Sequence, residues 1–459
     1  MSLLRPFGVF AAPLAFSLTA LALTGCGSNR FFGPASGGSD TVQVASSRQL
    51  VVGDEPFAVN AAVSILAQGG NAVDAATALF FALSVTYPVA AGPGGGGLCI
   101  ARDASGVVGE FDFLPRAANR GGAYAVPMAV RGFYDMQKRM GSMPWQRTVS
   151  PAEVLADAGF PMSQALATRL AGTEGVIRLD AALAAEFLDE AGQLKHAGAV
   201  LNSPALARTL GVIRQEGADG FAVRIGSSLI TYSATQGGTL GADDFAAART
   251  RQVAPARRVI GGLNVSYPAT GTGTGAFAAA LLARVASSTP ASASANAVAA
   301  VQQALQGFGV AVIPADFGST GFAVADGMGG AVACAVTMNG PFGAGRTAPG
   351  TGITLAAAPA GPAGLASAFL MPLLGQSGDS ALFAGASAGG PNGSAAIAAA
   401  LARMAGGGAL AAASDLRTTG AAPKDTINVI ACRSSCAALP DPGGNGLGGV
   451  VHADGAPAP

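Results

Sequence analysis

The sequence predicts an α/β fold of closely packed layers, and three observations predict it. Residues 55–67 carry helical periodicity that stops at Gly69-Gly70-Asn71, and residues 72–87 resume it, so the pair reads as a helix hairpin. From Gly321 the pattern changes to sheet: Phe322-Ala323-Val324-Ala325 and Ala331 to Met338 flank the turn Asp326-Gly327-Met328-Gly329-Gly330, which makes a β-hairpin. Half of all residues are hydrophobic and 67 are glycine, a small-residue excess that lets layers approach closely.

The other elements follow in chain order. The second helix of the hairpin is apolar all round and so is expected to be the more buried. Gly92 to Gly97 forms a tight loop feeding a strand at Leu98 to Ala101; it lacks the Lys-Ser/Thr ending of a phosphate cradle, which points to close backbone packing rather than nucleotide binding. Pro151 to Ala158 and Pro204 to Gln215 read as helices with proline near the first turn. Ser287 to Ala297 is Ser/Ala-rich and is expected to be mobile. Ser387 to Gly390 leads into a helix from Ser394 to Met404, and residues 437–459, rich in Pro and Gly, are expected to be a disordered tail.

Residues 1–25 have the order of an export signal: Arg5, an apolar stretch from Phe7 to Leu23, then Leu23-Thr24-Gly25 ahead of Cys26. That ending resembles the bacterial lipobox, which implies lipidation of Cys26, a membrane contact through the lipid, and a periplasmic-side position, at the outer membrane given Gly27. Residues 26–47 read as a flexible tether and residues 48–436 as one domain. Only 11% of residues are charged, 26 of each sign, so no basic face exists to bind nucleic acid. The mean hydropathy of +0.44 reflects core rather than membrane spans, because the most apolar run, Ala75 to Tyr87, ends at Pro88 and a glycine cluster. Cys432 and Cys436 are expected to form a small disulfide, and Cys99 and Cys334 to be buried thiols. No metal site or other cofactor is expected, since His196 and His452 lack ligand spacing.

With two histidines, one of them in the tail, a Ser-His-Asp or Cys-His arrangement lacks its base. A hydroxyl residue can still be a nucleophile when it begins a chain, because its own α-amino group, with a pKa of about 8, serves as general base. Such a residue must be freed by cleavage and must head a strand. Gly318-Ser319-Thr320-Gly321-Phe322 meets that requirement.

This segment, continuing through Val336-Thr337-Met338-Asn339 to Phe342-Gly343-Ala344-Gly345, resembles the small-subunit start of the gamma-glutamyltransferase family. Gly69-Gly70-Asn71-Ala72-Val73-Asp74-Ala75-Ala76 resembles the family's helix-hairpin signature and Gly94 to Gly97 its glycine turn. Ala125-Val126-Pro127, Gly159-Phe160-Pro161 and Asn202-Ser203-Pro204-Ala205-Leu206-Ala207 also fall in family order, so the resemblance spans residues 45–404. It implies a four-layer α/β/β/α sandwich of the N-terminal-nucleophile hydrolase type, a cut separating a large part ending at 318 from a small part beginning at 319, and continued association of the two.

Carried over by position, Ser319 falls on the nucleophile and Thr320 on the residue after it; a one-residue slip would make Thr320 the nucleophile. Thr337 matches the residue that hydrogen-bonds the nucleophile, Asn339 one that holds the polar end of the donor, and Gly389-Gly390 the paired N–H groups of the oxyanion hole. The family's carboxylate-gripping arginine is displaced, since the chain reads Asp112-Phe113-Leu114-Pro115-Arg116. Its ammonium-holding polar run is Ala356-Ala357-Ala358-Pro359-Ala360-Gly361, its serine pair is Ala368-Phe369, and its histidine after the nucleophile pair is Gly321. Two functions are compatible with this pattern. One is a self-processing amidohydrolase or acyltransferase acting on γ-glutamyl or related small amide and peptide bonds; the other is a catalytically inactive envelope lipoprotein that keeps the fold as a scaffold or binding module.

Overall fold

The structure is a computed structural model that describes residues 42–45, 48–269, 273–378, 381–416 and 424–451. The expected export signal, Cys26, His452 and most of the expected tether lie outside the described residues.

Two seven-stranded sheets make the middle of the molecule. Their strands in chain order are β1 (Gln43–Ala45), β2 (Gln49–Gly53), β3 (Gly96–Arg102), β4 (Val108–Phe113), β5 (Arg251–Val253), β6 (Ala256–Ile260), β7 (Leu263–Tyr267), β8 (Ser319–Asp326), β9 (Ala331–Thr337), β10 (Met371–Ser377), β11 (Ala381–Ala388), β12 (Thr426–Cys432), β13 (Cys436–Leu439) and β14 (Leu447–Val450). One sheet has the order β14-β2-β8-β9-β3-β4-β5 and the other β1-β13-β12-β11-β10-β7-β6. The facing sides meet through small residues: Ala323, Ala325, Ala331 and Ala333 of the first sheet share a buried cluster with Ala384, Ile430 and Cys432 of the second. At Gly321 the sheets come so near that a Cβ there would lie 3.0 Å from Ala386. The glycine and alanine excess is thus spent on sheet-to-sheet approach.

Helices cover both outer faces. α1 (Pro56–Ala67) and α2 (Ala72–Thr86) form the predicted hairpin and pack on the first sheet with α3 (Ala129–Met140), α4 (Trp145–Ala158) and α5 (Pro204–Gly220). Asn71 starts α2: its side chain accepts from Val73 N and Asp74 N at 3.0 Å each while Asp74 accepts from Asn71 N, a capping box that closes the orphan amides of the first turn. Every residue of α2 is buried, and its polar side chains Asp74, Thr77, Ser84 and Thr86 are each hydrogen-bonded. On the second sheet lie α6 (Gly273–Val285), α7 (Ala293–Gly307) and α8 (Pro391–Ala405). The four-layer α/β/β/α expectation holds, and no helix among the described residues is long and apolar enough to cross a membrane.

Several local expectations need correction. α4 begins at Trp145, leaving Pro151 inside it, because Trp145 packs edge-on against Phe81 and donates its indole N–H to Ile213 O at 2.8 Å; tertiary packing outweighs the proline's missing donor. The Ser/Ala-rich stretch expected to be mobile feeds directly into α7, whose alanines 293, 297 and 300 are buried against α6 and α8. The expected tail contributes β13 and β14: Leu447–Gly53 to Val450–Leu50 is an antiparallel register that covers the edge of β2. The end of the expected tether, Gln43–Ala45, pairs with Ala438–Cys436. Cys99 and Cys334 are not free thiols, because β3 and β9 set them directly opposite each other, 4.1 Å apart at Cα, and they form a disulfide. The Cys432–Cys436 disulfide is present as expected.

Candidate active site

Ser319 is the first residue of β8, and the antiparallel register with β9 sets it opposite Thr337. The Ser319 hydroxyl donates to Thr337 Oγ1 at 2.7 Å, with Phe317 O at 3.2 Å as a second acceptor. Thr337 Oγ1 in turn accepts from Asn339 N at 2.9 Å and lies 3.3 Å from Phe317 O, to which it donates. Ser319 is fully buried and Thr337 is 1% exposed, so these bonds form away from water. In the continuous chain neither Ser319 nor Thr320 reaches solvent.

The peptide bond entering Ser319 is held on both sides. Gly318 has φ of +55°, and a Cβ there would lie 1.8 Å from Gly340 O, so only glycine fits this turn. Gly318 O accepts from Met338 N at 2.8 Å, and Gly318 N donates to Asp316 Oδ1 at 2.7 Å. Asp316 is itself gripped by the forked guanidinium of Arg169, whose side chain is only 4% exposed. The loop before Ser319 is therefore fixed by an ion pair from the helical middle of the chain.

Thr320 does not share the Ser319 environment. Alternation along β8 turns it to the opposite face, where it donates to Asp54 Oδ2 at 2.5 Å. Asp54 also accepts from Asn428 Nδ2 at 2.7 Å, and the same amide donates to Gly321 O at 2.8 Å, tying β12 to β8 across the sheets. Burial pushes the Asp54 carboxyl above its ordinary range, against the bonds from Thr320 and Asn428. Asp54 lines a cavity of about 270 Å³ together with Tyr87, Arg169, Asn392, Gly393 and Asp425.

Gly389-Gly390 follows β11 and leads into α8, with Pro391 in the helix's first turn. Ala388, just before the pair, belongs to one small buried cluster with Ala386 and Ala335, and Ala335 is opposite Gly321. The glycine pair thus sits at the same end of the sandwich as Ser319. Both glycines have positive φ, +86° and +155°, and a Cβ on Gly390 would lie 2.2 Å from Asp425 Oδ1. Asp425 accepts from the N–H groups of Asn392 and Gly393, and burial pushes its carboxyl up to about 6.

Asn339 adopts φ of +60°; its Nδ2 donates to Ala357 O at 2.9 Å, while its Oδ1 is buried without a hydrogen-bond partner among the described residues. Ala357 lies in the apolar run that replaces the polar stretch, and this run joins the ribbon of Arg116–Ala117 and Ala125–Val126 through the bond from Ala125 N to Ala356 O, 3.0 Å. Arg116 is exposed on that ribbon. The structure brings Ser319, Thr337 and Asn339 into one bonded chain, puts the glycine pair at the same end, and leaves Thr320 on another face and Arg116 at the surface. Among the described residues no group of three His, Cys, Asp or Glu side chains could hold a metal ion.

Among the residues of this region that escaped the sequence reading are Asp54, Arg169, Asp316, Asp425 and Asn428. Asn428 left a signal, being the lone amide in the otherwise apolar run Ile427 to Cys432. Asp316 lies three residues ahead of Ser319, but its partner is 147 positions away and leaves no local trace.

Known proteins resemble the chain in sequence and in fold. The gamma-glutamyltranspeptidase family model matches residues 58–312, more than half of the chain, and stops short of Ser319. Glutathione hydrolase 2 of Arabidopsis thaliana is 33% identical over 174 residues, which is 34% of this chain and 30% of that protein. The glutathione hydrolase proenzyme of Pseudomonas sp. (strain A14) is 31% identical over 234 residues, 46% of this chain and 41% of the relative. The Acylase ACY 1 proenzyme of Pseudomonas sp. (strain SE83) is 31% identical over 252 residues, 49% and 45% respectively. The chain therefore spans less than half the length of these curated relatives in each match. The crystal structure of cephalosporin acylase from Bacillus halodurans superposes with a TM-score of 0.65 at 18% identity, covering 90% of this chain and 97% of that one, a likeness of fold. By the extent of the family match, supported by the sandwich that carries it, the chain belongs to the gamma-glutamyltranspeptidase family.

Proposed function

We propose that the protein is a self-processing amidohydrolase or acyltransferase that uses Ser319, freed as a chain terminus, to cleave γ-glutamyl or related amide bonds. One observation carries this reading: the Ser319 hydroxyl is bonded to Thr337 at 2.7 Å immediately after a peptide whose carbonyl oxygen is already held by Met338 N–H.

In the processing step Ser319 Oγ attacks the Gly318 carbonyl carbon, and the N–H of Met338 stands where negative charge gathers on Gly318 O. The C–N bond breaks as the proton of the serine hydroxyl passes to the Ser319 nitrogen, which leaves as an α-amine, and water hydrolyses the resulting ester to a Gly318 carboxylate and a free Ser319 hydroxyl. The freed amine then takes the hydroxyl proton, with Thr337 keeping the hydroxyl oriented. Ser319 attacks the amide carbonyl of the donor, the Gly389 and Gly390 N–H groups receive the oxyanion, the donor's amine leaves with the proton taken up by the Ser319 α-amine, and the acyl group passes from Ser319 to water or an amine. Asn339 Oδ1, buried with no hydrogen-bond partner among the described residues, is suited to accept from the donor's polar end. Thr320 is bonded to Asp54 and acts in this scheme as a positioning residue for the start of β8. The apolar run Ala356 to Gly361 favours an acyl donor less polar than a zwitterionic glutamyl head, since a buried charge there would lack charge-assisted hydrogen bonds worth about 1.5–3 kcal/mol each.

The export signal and Cys26 support an envelope location with a lipid anchor, the periplasmic side being the expected one. The test is hydrolysis of a panel of γ-glutamyl and N-acyl amides of graded polarity. The wild type should release amine from at least one and the Ser319→Ala protein from none; equal release by both would remove Ser319 from the chemistry. An inert but correctly folded and cut wild type would favour the scaffold reading.

A further inference from the structure

We propose that the Cys99–Cys334 disulfide covalently joins the two parts of the processed protein, so that cutting at 318/319 does not yield separable subunits. The inference rests on the processing reading above and on the position of the bond in the sheet.

A cut between Gly318 and Ser319 leaves β2, β3, β4 and β5 with the large part and β8, β9 and β14 with the small part. In the sheet order β14-β2-β8-β9-β3-β4-β5, the two small-part strands β8 and β9 are then wedged between large-part strands, and the β9–β3 boundary is a seam between parts. Cys334 of β9 and Cys99 of β3 face each other across that seam, in the register that runs from Ala331–Arg102 to Thr337–Gly96. The other disulfide, Cys432–Cys436, lies within the small part and joins nothing across the cut. Once the peptide bond at 318 is gone, Cys99–Cys334 is the one covalent link between the parts among the described residues.

Forming the link removes two electrons and two protons from the thiols, and a disulfide-bearing oxidant of an oxidising compartment accepts them by thiol–disulfide exchange. Because both sulfurs lie in the core between β-sheet and helices, where Cys99 and Cys334 are fully buried, the bond forms as the strands pair and is then shielded from external thiols. Its effect on the site is to pin the seam three residues from Thr337, the partner of Ser319. If Cys26 carries a lipid, the same bond ties the small part to the lipid-bearing part.

The test uses the full chain exported from its host, trapped with an alkylating agent, denatured, and examined on gels and by intact mass with and without reductant. Reduction should release two pieces meeting at 318/319; without reductant a single species, heavier than the uncut chain by one water, should remain. The Cys334→Ala protein, if cut, should fall into two pieces without reductant. Mapping of disulfide-linked peptides provides a second readout that does not depend on that variant folding, and should recover Cys99 joined to Cys334. Two pieces from the wild type without reductant, or alkylated Cys99 and Cys334, would overturn the cross-link while leaving the processing reading intact. A single uncut chain under reduction would overturn the processing reading and this inference with it.

Discussion

Replacing Thr337 with valine keeps the volume and the β-branched shape of the side chain but deletes the one oxygen that connects Ser319, Phe317 and Asn339. In the folded chain that oxygen accepts from Ser319 Oγ at 2.7 Å and from Asn339 N at 2.9 Å. The variant leaves the serine hydroxyl with Phe317 O at 3.2 Å, a bond that points it at the backbone before the cut. Losing one buried hydrogen bond that orients the attacking group costs about 1–3 kcal/mol, which is about 5- to 150-fold in rate if all of it appears in the transition state. The assay follows the appearance of the two pieces on reducing gels from newly synthesised chain, with circular dichroism to confirm folding. Thr337→Val should slow the cut by that factor, whereas Thr337→Ser, which keeps the oxygen, should cut at close to the wild-type rate. Cleavage of the valine variant at the wild-type rate, or equal slowing of both variants, would refute the role given to Thr337.

Further predictions follow from the same geometry. Gly318→Ala places a Cβ 1.8 Å from Gly340 O at φ of +55°, so the turn must shift and cleavage should stop, read as an uncut chain on a reducing gel. Asn428→Ala removes bonds to Asp54 and Gly321 and an acceptor for Asp441 N at 3.2 Å; unfolding by urea in a Ser319→Ala background should show a loss of about 2–4 kcal/mol. Asp425, pushed up to about 6 by burial, binds its proton more tightly folded than unfolded, so its contribution to stability falls as pH rises from about 4 to about 6 and stays lost above that. Asp425→Asn in the same background should therefore gain on its parent across that window, by on the order of 2–3 kcal/mol at pH 7, and a pH-independent difference would contradict the assignment.

Much of this was legible in the chain because it is written locally. The α2 start shows as Asn71 followed three residues later by Asp74, and the β8–β9 hairpin as two apolar runs around a glycine-rich turn. The site was legible where one hairpin register determines it: pairing that puts Ala325 opposite Ala331 necessarily puts Ser319 opposite Thr337. What could not be read is long-range. Asp54 meets Thr320 across 266 positions, and the Cys99–Cys334 bond depends on β3 lying beside β9 in a register that neither strand announces. Composition misled at β14 and α7, where glycine-rich and alanine-rich stretches read as mobile form an edge strand and a packed helix, since small residues suit the narrow spaces there.

The measurement that bears most directly on the account is the intact mass of the reduced wild-type protein beside Ser319→Ala. The account predicts that the smaller wild-type piece begins at Ser319 and that the variant remains whole. A wild type that stays in one piece, or a piece that begins anywhere else, would contradict it.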